Sequence, residues 1–437
     1  MACRTCGTLL NRYQDLNSGQ TRYVHPAGVG RGPRHAADPA PLDEVDVRQA
    51  CDFCSDERVA YTVATEPITT IGALNGGTQV DHYDTEWTAC FPCERDLRAG
   101  DLDALRRRLE LTSRMAGLLD PAIAQVLHQA VRRGLRPGRT LAVTGRWPAG
   151  PLPAAHLPRI RDRLAALYGG PTGLPLALDD AGIRSSVAGS IAAARLIWID
   201  AAFTELADHA AGSLPPTVID PADLPAPHGL LAWAGPAGTA RLDAASWTSG
   251  PDGVRVIGYR SIGTGLPPRD LQQLREEIGW LIPRVHTRLE PGVPVDAACP
   301  VAVLIVTWLL IAQRVAETVP AAIDKTVRKA YLRSGRPAPA VQLVRIRGTG
   351  RSEQDRTDDA GRGPGGQERA PRAYRWWVRA HWRQQPYGPG RTLRRPVLVL
   401  PQVRGPRDKP IKVSTVVRML TDVPQRPEAA GPDEPGQ

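Results

Sequence analysis

The residues best equipped for chemistry in this chain are its cysteines. Six of the seven fall in Cys-x-x-Cys pairs: Cys3/Cys6, Cys51/Cys54 and Cys90/Cys93. A tight turn places two such thiolates on one side of an ion, and two turns complete the tetrahedron that zinc prefers. Cys51-x2-Cys54, followed after 35 residues by Cys90-x2-Cys93, predicts a four-cysteine zinc site shaped like a ribbon with a long insert. Between the pairs, Arg58 to Val63 alternates as a strand would, and Trp87 stands where an aromatic would pack against the second pair. Cys3 and Cys6 need two more ligands. His25 and His35 are nearest, with Asp38 and His82 behind them, so Cys3-x2-Cys6-x18-His25-x9-His35 is the pattern for a second zinc ion. That last spacing is longer than common Cys2His2 fingers use. The alternative is that both histidines are loop residues in a Pro/Gly-rich segment.

Disulfides would need an oxidising compartment, and the chain runs from Met1 straight into Cys3 without an apolar leader. A redox Cys-x-x-Cys would need βαβ surroundings, which the neighbouring sequence lacks. Catalytic zinc keeps an open position and mixed His and carboxylate ligands. Neither HExxH nor a His-x-Glu paired with Pro-Cys-x-x-Cys is present. These zinc ions are therefore expected to hold structure. Cys299, beside Pro300 and an apolar run, reads as a buried small residue.

A second chemistry-bearing group lies near the C-terminus. From Ala373 to Val413 ten basic residues face one acid, Asp408, so this 41-residue stretch holds +9 of the formal net charge of +10. Only four residues in the whole chain are Lys, and heavy Arg, Ala, Gly and Pro usage follows from a GC-rich coding sequence; the clustering does not. Read as one strand, residues 374–383 put Arg375, Trp377, Arg379, His381 and Arg383 on one face and Trp376, Val378, Ala380 and Trp382 on the other. Guanidiniums interleaved with aromatic rings suit phosphates and stacked bases. Gln385 to Gly390 reads as a turn, and Arg394 to Leu400 as a returning strand that adds Arg394 and Arg395. Two other readings stay open: a solvated arginine face over a small tryptophan core, or a protein-binding surface. His381 among these arginines, near Tyr387, also has the parts of a metal-independent ribonuclease. One histidine is less than a nuclease needs. A binding protein is the expectation, with a nuclease or toxin-like effector, or a helical protein-interaction scaffold, as alternatives.

The segment CDFCSDERVAYTV…EWTACFPCERDLRAGD, over 51–102, resembles a cysteine module of uncharacterised actinobacterial proteins. RWWVRAHWRQQPYGPGRTLRRPVLVLPQVRGPRDKPI, over 375–411, is similar to an HWR…GP region recurring in actinobacterial and phage or mobile-element proteins. The resemblance covers about a fifth of the chain. It implies a modular build and such an origin, and no activity.

The elements that must position these groups follow from periodicity. Asp101 is an N-cap candidate before Leu102, Leu105 and Leu109; a helix follows Pro121 and stops at Gly134; another spans Leu157 to Tyr168. Residues 186–211 read as the strongest helix, with Val187, Ile191, Leu196, Ile199 and Phe203 on a broad apolar face. Short apolar pieces over 228–262 suggest strands, and helices are expected over 268–282 and 300–319. The most apolar run, Ala297 to Ala312, has 16 uncharged residues with Pro300 among them. That is short of the roughly 18–20 a membrane span needs, so it reads as a buried helix. No Walker A motif, dinucleotide fingerprint or nucleophile elbow occurs; Gly263-x-Gly265 is too loose for one.

Together these features predict an α+β multidomain protein. Its parts are a zinc-binding region over 1–100, a mainly helical central domain over 101–340 and a strand at 341–347 belonging to a C-terminal β-domain. A flexible linker or long loop over 348–372, a basic aromatic β-domain over 373–420 and a disordered tail over 421–437 complete it. The expected setting is cytoplasmic and free of membrane, with nucleic acid or a protein as partner.

Overall fold

The computed structural model describes residues 1–8, 10–14, 20–25, 35–41, 45, 49–74, 77–83, 85–112, 121–143, 145–148, 150–347, 375–378, 380–404 and 409–410. The expected linker over 348–372 and tail over 421–437 lie outside them. The chain divides into two units, Met1–Thr349 with Gln384–Val397, and Gly350–Arg383 with Leu398–Gln437.

The first unit begins with short strands. β1 (Ala2–Cys3) pairs antiparallel with β4 (Pro39–Ala40), and β2 (Asn11–Gln14) pairs with β3 (Thr21–Val24) between them. Next come β5 (Val59–Ala64), the hairpin β6 (Ile68–Leu74) and β7 (Gly77–Tyr83), and β8 (Glu86–Cys90). Three helices follow: α1 (Phe91–Ala99), α2 (Leu102–Thr112) and α3 (Pro121–Gly134). β5 is the centre of a three-stranded sheet between β8 and β9 (Thr140–Leu141). Asp101 caps α2 by accepting from the Ala104 N–H at 2.9 Å. α1 opens on Pro92, whose missing N–H costs nothing in a first turn, and closes on Gly100 in the left-handed region at φ 74°.

The centre of the chain is built on a sheet, which overturns the mainly helical expectation. Its elements run α4 (Leu157–Gly169), α5 (Ala181–Ala192), β10 (Arg195–Ile199), α6 (Ala201–Ala211), β11 (His228–Ala237), β12 (Leu242–Gly250), β13 (Gly253–Ser261) and α7 (Pro268–Glu277). They continue through β14 (Leu281–Leu289), α8 (Ala302–Ile311), β15 (Ala316–Pro320), α9 (Lys325–Arg333) and β16 (Val341–Ile346). Seven strands form one mixed sheet in the order β14-β13-β12-β11-β10-β16-β15. β10 lies parallel to both neighbours, and the remaining pairs are antiparallel.

Each departure has a local cause. The run read as one helix over 186–211 is α5, then β10, then α6. Leu196, Ile197 and Ile199 are all buried because β10 is a central strand covered on both faces, so it lacks the alternation that marks a half-exposed strand. Asp200 then restarts the helix by accepting from the Phe203 N–H at 2.7 Å. The helix expected over 268–282 stops at Glu277, with Gly279 at φ 79° turning the chain into β14. The helix expected over 300–319 gives way after Ile311 to β15. The strand assigned to the C-terminal domain is β16, an inner strand of the large sheet.

α8 is apolar on every side, and nine of its ten residues are buried, as a helix in the middle of a core must be. Trp308 on it meets Trp247 of β12 edge to face at 5.2 Å, and Trp233 Nε1 donates to Thr307 Oγ1 at 3.2 Å. No helix among the described residues is long and apolar enough to cross a membrane. Further along, β17 (Trp376–Val378) pairs with β20 (Gln402–Arg404), and β18 (His381–Tyr387) pairs with β19 (Leu393–Val399).

Candidate metal centres

Cys51 and Cys54 flank a tight turn closed by the Ser55 N–H donating to the Cys51 carbonyl at 2.7 Å, with Ser55 at φ 62°. Cys90 ends β8 and is the N-cap of α1, and Cys93 stands in the first turn of that helix. The second pair therefore sits on a strand-to-helix junction, which corrects the ribbon-like expectation of two β-turns. Pro92 sits in the first turn of α1, where a proline suits a helix start. β5 and β8 bring the two pairs together, and Asp52 locks them. Its carboxylate accepts from the Thr88 N–H at 2.6 Å and from Thr88 Oγ1 at 3.1 Å, while its own N–H donates to the Thr88 carbonyl at 2.9 Å.

The four sulfurs lie within 4.8 Å of one another and could hold a metal ion. Cys54 Sγ and Cys90 Sγ are 3.6 Å apart. Tetrahedral zinc thiolates at about 2.3 Å require sulfurs separated by about 3.8 Å. All four are at most 2% exposed, walled by Phe53, Trp87, Leu97, Leu105 and Val131. Trp87 takes the packing role expected of it, 6.2 Å from the Phe53 ring.

Four crowded thiols cannot all ionise in such a place without a cation. Burial pushes Cys51 well above the ordinary thiol range, and hydrogen bonding with the other three adds to the effect. A hydrogen bond with Cys51 would lower Cys93, but those with Cys54 and Cys90, together with burial, drive it up. Cys54 goes the other way, held far down by hydrogen bonds from Cys51, Cys90 and Cys93. A divalent ion would resolve the conflict by replacing protons. The N-terminus of α1 favours the resulting negative charge. Arg58 and Arg108 flank the cluster. Pairing with Asp56 raises Arg58 first, and the charges of Cys90 and Cys54 add to it. Burial works against Arg108, and Asp96, Cys93 and Cys90 outweigh it.

The second constellation converges as well. Cys3, Cys6, His25 and His35 offer ligand atoms within 4.8 Å of one another. Cys3 Sγ is 3.3 Å from His35 Nε2, and Cys6 Sγ is 3.4 Å from His25 Nε2. One zinc ion bound to both would set a sulfur–nitrogen separation of about 3.5 Å. The long His25–His35 spacing is bridged by topology: β2 and β3 deliver His25, while β4, paired to β1, returns the chain from His35 beside Cys3. The two imidazoles meet edge to face at 5.0 Å. Burial alone would raise Cys3, yet hydrogen bonds from the Asp38 and Cys6 backbone and from His35 and His25 bring it down to about 5.

α1 couples the four-cysteine cluster to the large sheet. Phe91, with Tyr61 of β5, Leu141 and Trp147, belongs to the same core as Tyr168, Leu274 and Tyr259 of the sheet domain. One residue after Cys93, Glu94 is 1% exposed and accepts from Arg98 and from Arg139 Nη1, the latter at 2.5 Å. Arg139 also donates to Glu277 at the end of α7 at 2.6 Å and stacks over Tyr61 at 4.2 Å. Arg95 reaches Asp270 of α7 at 2.5 Å, and Asp96 takes Arg108 at 2.5 Å. Sequence reasoning missed Asp52, Arg58, Arg108 and this network. Its links from Glu94 to Arg139, from Arg139 to Glu277 and from Arg95 to Asp270 span 45, 138 and 175 residues, which no local spacing reveals.

The C-terminal candidates are not on one strand. The run 374–383 is divided between β17 and β18, which pair with different strands. Arg379 and the side chain of Trp377 lie outside what is described. Arg375 Nε donates to the Lys409 carbonyl at 2.8 Å. His381 and Arg383 are exposed on β18, two residues apart, and Arg394 is exposed on β19. Arg395 is committed elsewhere, paired with Asp223 at 3.1 Å and stacked over Tyr387 at 4.8 Å. Cys299 is half-buried before α8. No family model, curated protein or solved structure matches the chain.

Proposed function

We propose that this is a structural two-zinc protein whose metal sites organise the N-terminal region against an α+β body and whose partner is nucleic acid. The observation that carries the zinc assignment is the convergence of four buried sulfurs at tetrahedral spacing. Sulfur-rich tetrahedral sites select zinc or iron, and the pairing of Cys with His at the second site favours zinc at both. With four protein ligands each, neither site keeps a position for a substrate, so the ions stabilise rather than catalyse. A regulatory role in an actinobacterial mobile element is consistent with the resemblance of the two motif segments.

The nucleic-acid reading is supported at the C-terminal end by the exposed guanidiniums of Arg383, Arg391 and Arg394. It is tested by replacing those three with Ala in the full chain and titrating labelled RNA and DNA across a salt series. Weaker binding and a shallower salt dependence support it. Unchanged binding removes these arginines from the contact, and cleaved strands would turn attention to His381.

A further inference from the structure

We propose that the outward face of α9 and the cleft beside it form a binding surface for the phosphodiester backbone of a nucleic acid. The inference rests on the nucleic-acid reading but puts contact on a surface far from the C-terminal arginines in sequence.

α9 is amphipathic in an unusual sense. Val327 and Tyr331 are buried and fasten it to the body, while Lys325, Lys329 and Arg333 are exposed on the opposite side and Arg328 is exposed on its flank. At 1.5 Å per residue, Lys325, Lys329 and Arg333 follow one another about 6 Å apart along the axis. That step resembles the separation of neighbouring phosphates on one strand. None of these four cations forms an ion pair among the described residues. Codon bias does not explain them all, because two of the chain's four lysines stand here.

The nearby acids are engaged. Asp324 caps the helix by accepting from the Thr326 N–H at 2.8 Å, and Asp162 takes Arg336 at 2.9 Å and the Tyr331 hydroxyl at 2.6 Å. Past the helix a cleft of about 450 Å³ opens, lined by Arg161, Arg195, Arg336, Tyr331 and the Pro337–Ala340 segment. Arg336 lies over the Tyr331 ring at 4.2 Å and Arg161 at 5.7 Å, so the guanidiniums are held in place before any ligand arrives. A membrane is the poorer fit. Interfacial helices insert a broad apolar face, and the exposed face of α9 offers Leu332 alone, 56% exposed.

The test compares four full-length, zinc-loaded proteins with a labelled 20-base-pair DNA duplex and a single-stranded RNA of equal length. They are the parent, the α9 variant (Lys325→Ala, Arg328→Ala, Lys329→Ala, Arg333→Ala), a charge-matched control (Arg107→Ala, Arg132→Ala, Arg133→Ala, Arg269→Ala) and the C-terminal triple variant. Each phosphate contact contributes about 0.9 to the log–log salt slope, so four lost contacts weaken binding at 0.1 M salt by up to roughly three and a half decades. We expect the α9 variant to bind at least a hundredfold more weakly, with a shallower slope, while the control matches the parent. Equal binding by the α9 variant overturns the inference; if the C-terminal variant alone fails, the broader reading survives without it. A parent that binds neither nucleic acid overturns both. Circular dichroism checks folding, and Lys329→Glu alone, expected to weaken binding tenfold or more, serves should the fourfold variant misfold.

Discussion

Replacing Glu94 by Leu should destabilise the whole first unit, although Glu94 binds no metal and lies on a short helix. Its carboxylate is buried and is shared by Arg98 and Arg139, and Arg139 carries the link onward to Glu277 and the Tyr61 ring. Removing one member of a buried ion pair usually costs about 3–5 kcal/mol, because the partner keeps its charge without compensation. Here the loss is softened. Arg139 retains Glu277, and the Arg98 side chain is 32% exposed and can turn to water. A cost of about 2–3 kcal/mol is therefore expected. Urea unfolding of metal-loaded protein, followed by tryptophan fluorescence, would measure it. The double variant Glu94→Leu with Arg139→Met should lose less than the sum of the two single variants, since they share the interaction. A loss below about 0.5 kcal/mol, the range of an ordinary surface change, would refute the coupling of the cysteine cluster to the sheet through α1.

Gly229→Ala should cost at least about 1–3 kcal/mol by overpacking. A Cβ there would stand 2.1 Å from the Trp247 ring, and thermal melting checks it. Burial alone would raise Asp162, but hydrogen bonds from Arg336 and Tyr331 and the charge of Arg161 hold it below its ordinary value. A depressed folded value means its stabilisation is present above the unfolded value of about 3.9 and is lost as pH falls through the folded one. Asp162→Asn should therefore flatten the acid limb of a stability–pH curve below about pH 4, and an unchanged limb would contradict the pairing. Zinc binding at the four-cysteine site should release protons from both Cys51 and Cys93 at neutral pH, since both are raised. Calorimetry in buffers of different ionisation enthalpy would detect the release, and buffer-independent heats would contradict it.

The cysteine pairs were legible because metal geometry is written into short spacings. Cys51/Cys54 and Cys90/Cys93 each need only a local turn, and the structure supplies β5 and β8 to join them. The convergence of His35 with Cys3 was harder to read, since it depends on the two-residue pairing of β1 with β4. Helices with one wet face, such as α2, α3 and α4, followed their periodicity. The large sheet was illegible for a physical reason. β10 is buried on both faces and runs between helices, so its apolar residues continue those of α5 and α6 without a break in pattern. β15 likewise follows the buried, almost wholly apolar α8, with only a short turn to separate them. The ionic network around α1 was hidden because Glu94, Arg139 and Glu277 are brought together by tertiary packing alone.

The most direct measurement is the metal content of the chain purified without added metal, by plasma emission spectrometry against quantitative amino-acid analysis. Two zinc ions per chain are expected, falling to one in His35→Ala and to one in Cys54→Ser. A parent protein holding iron or no metal, or a His35→Ala protein that keeps both ions, would contradict the two-zinc assignment.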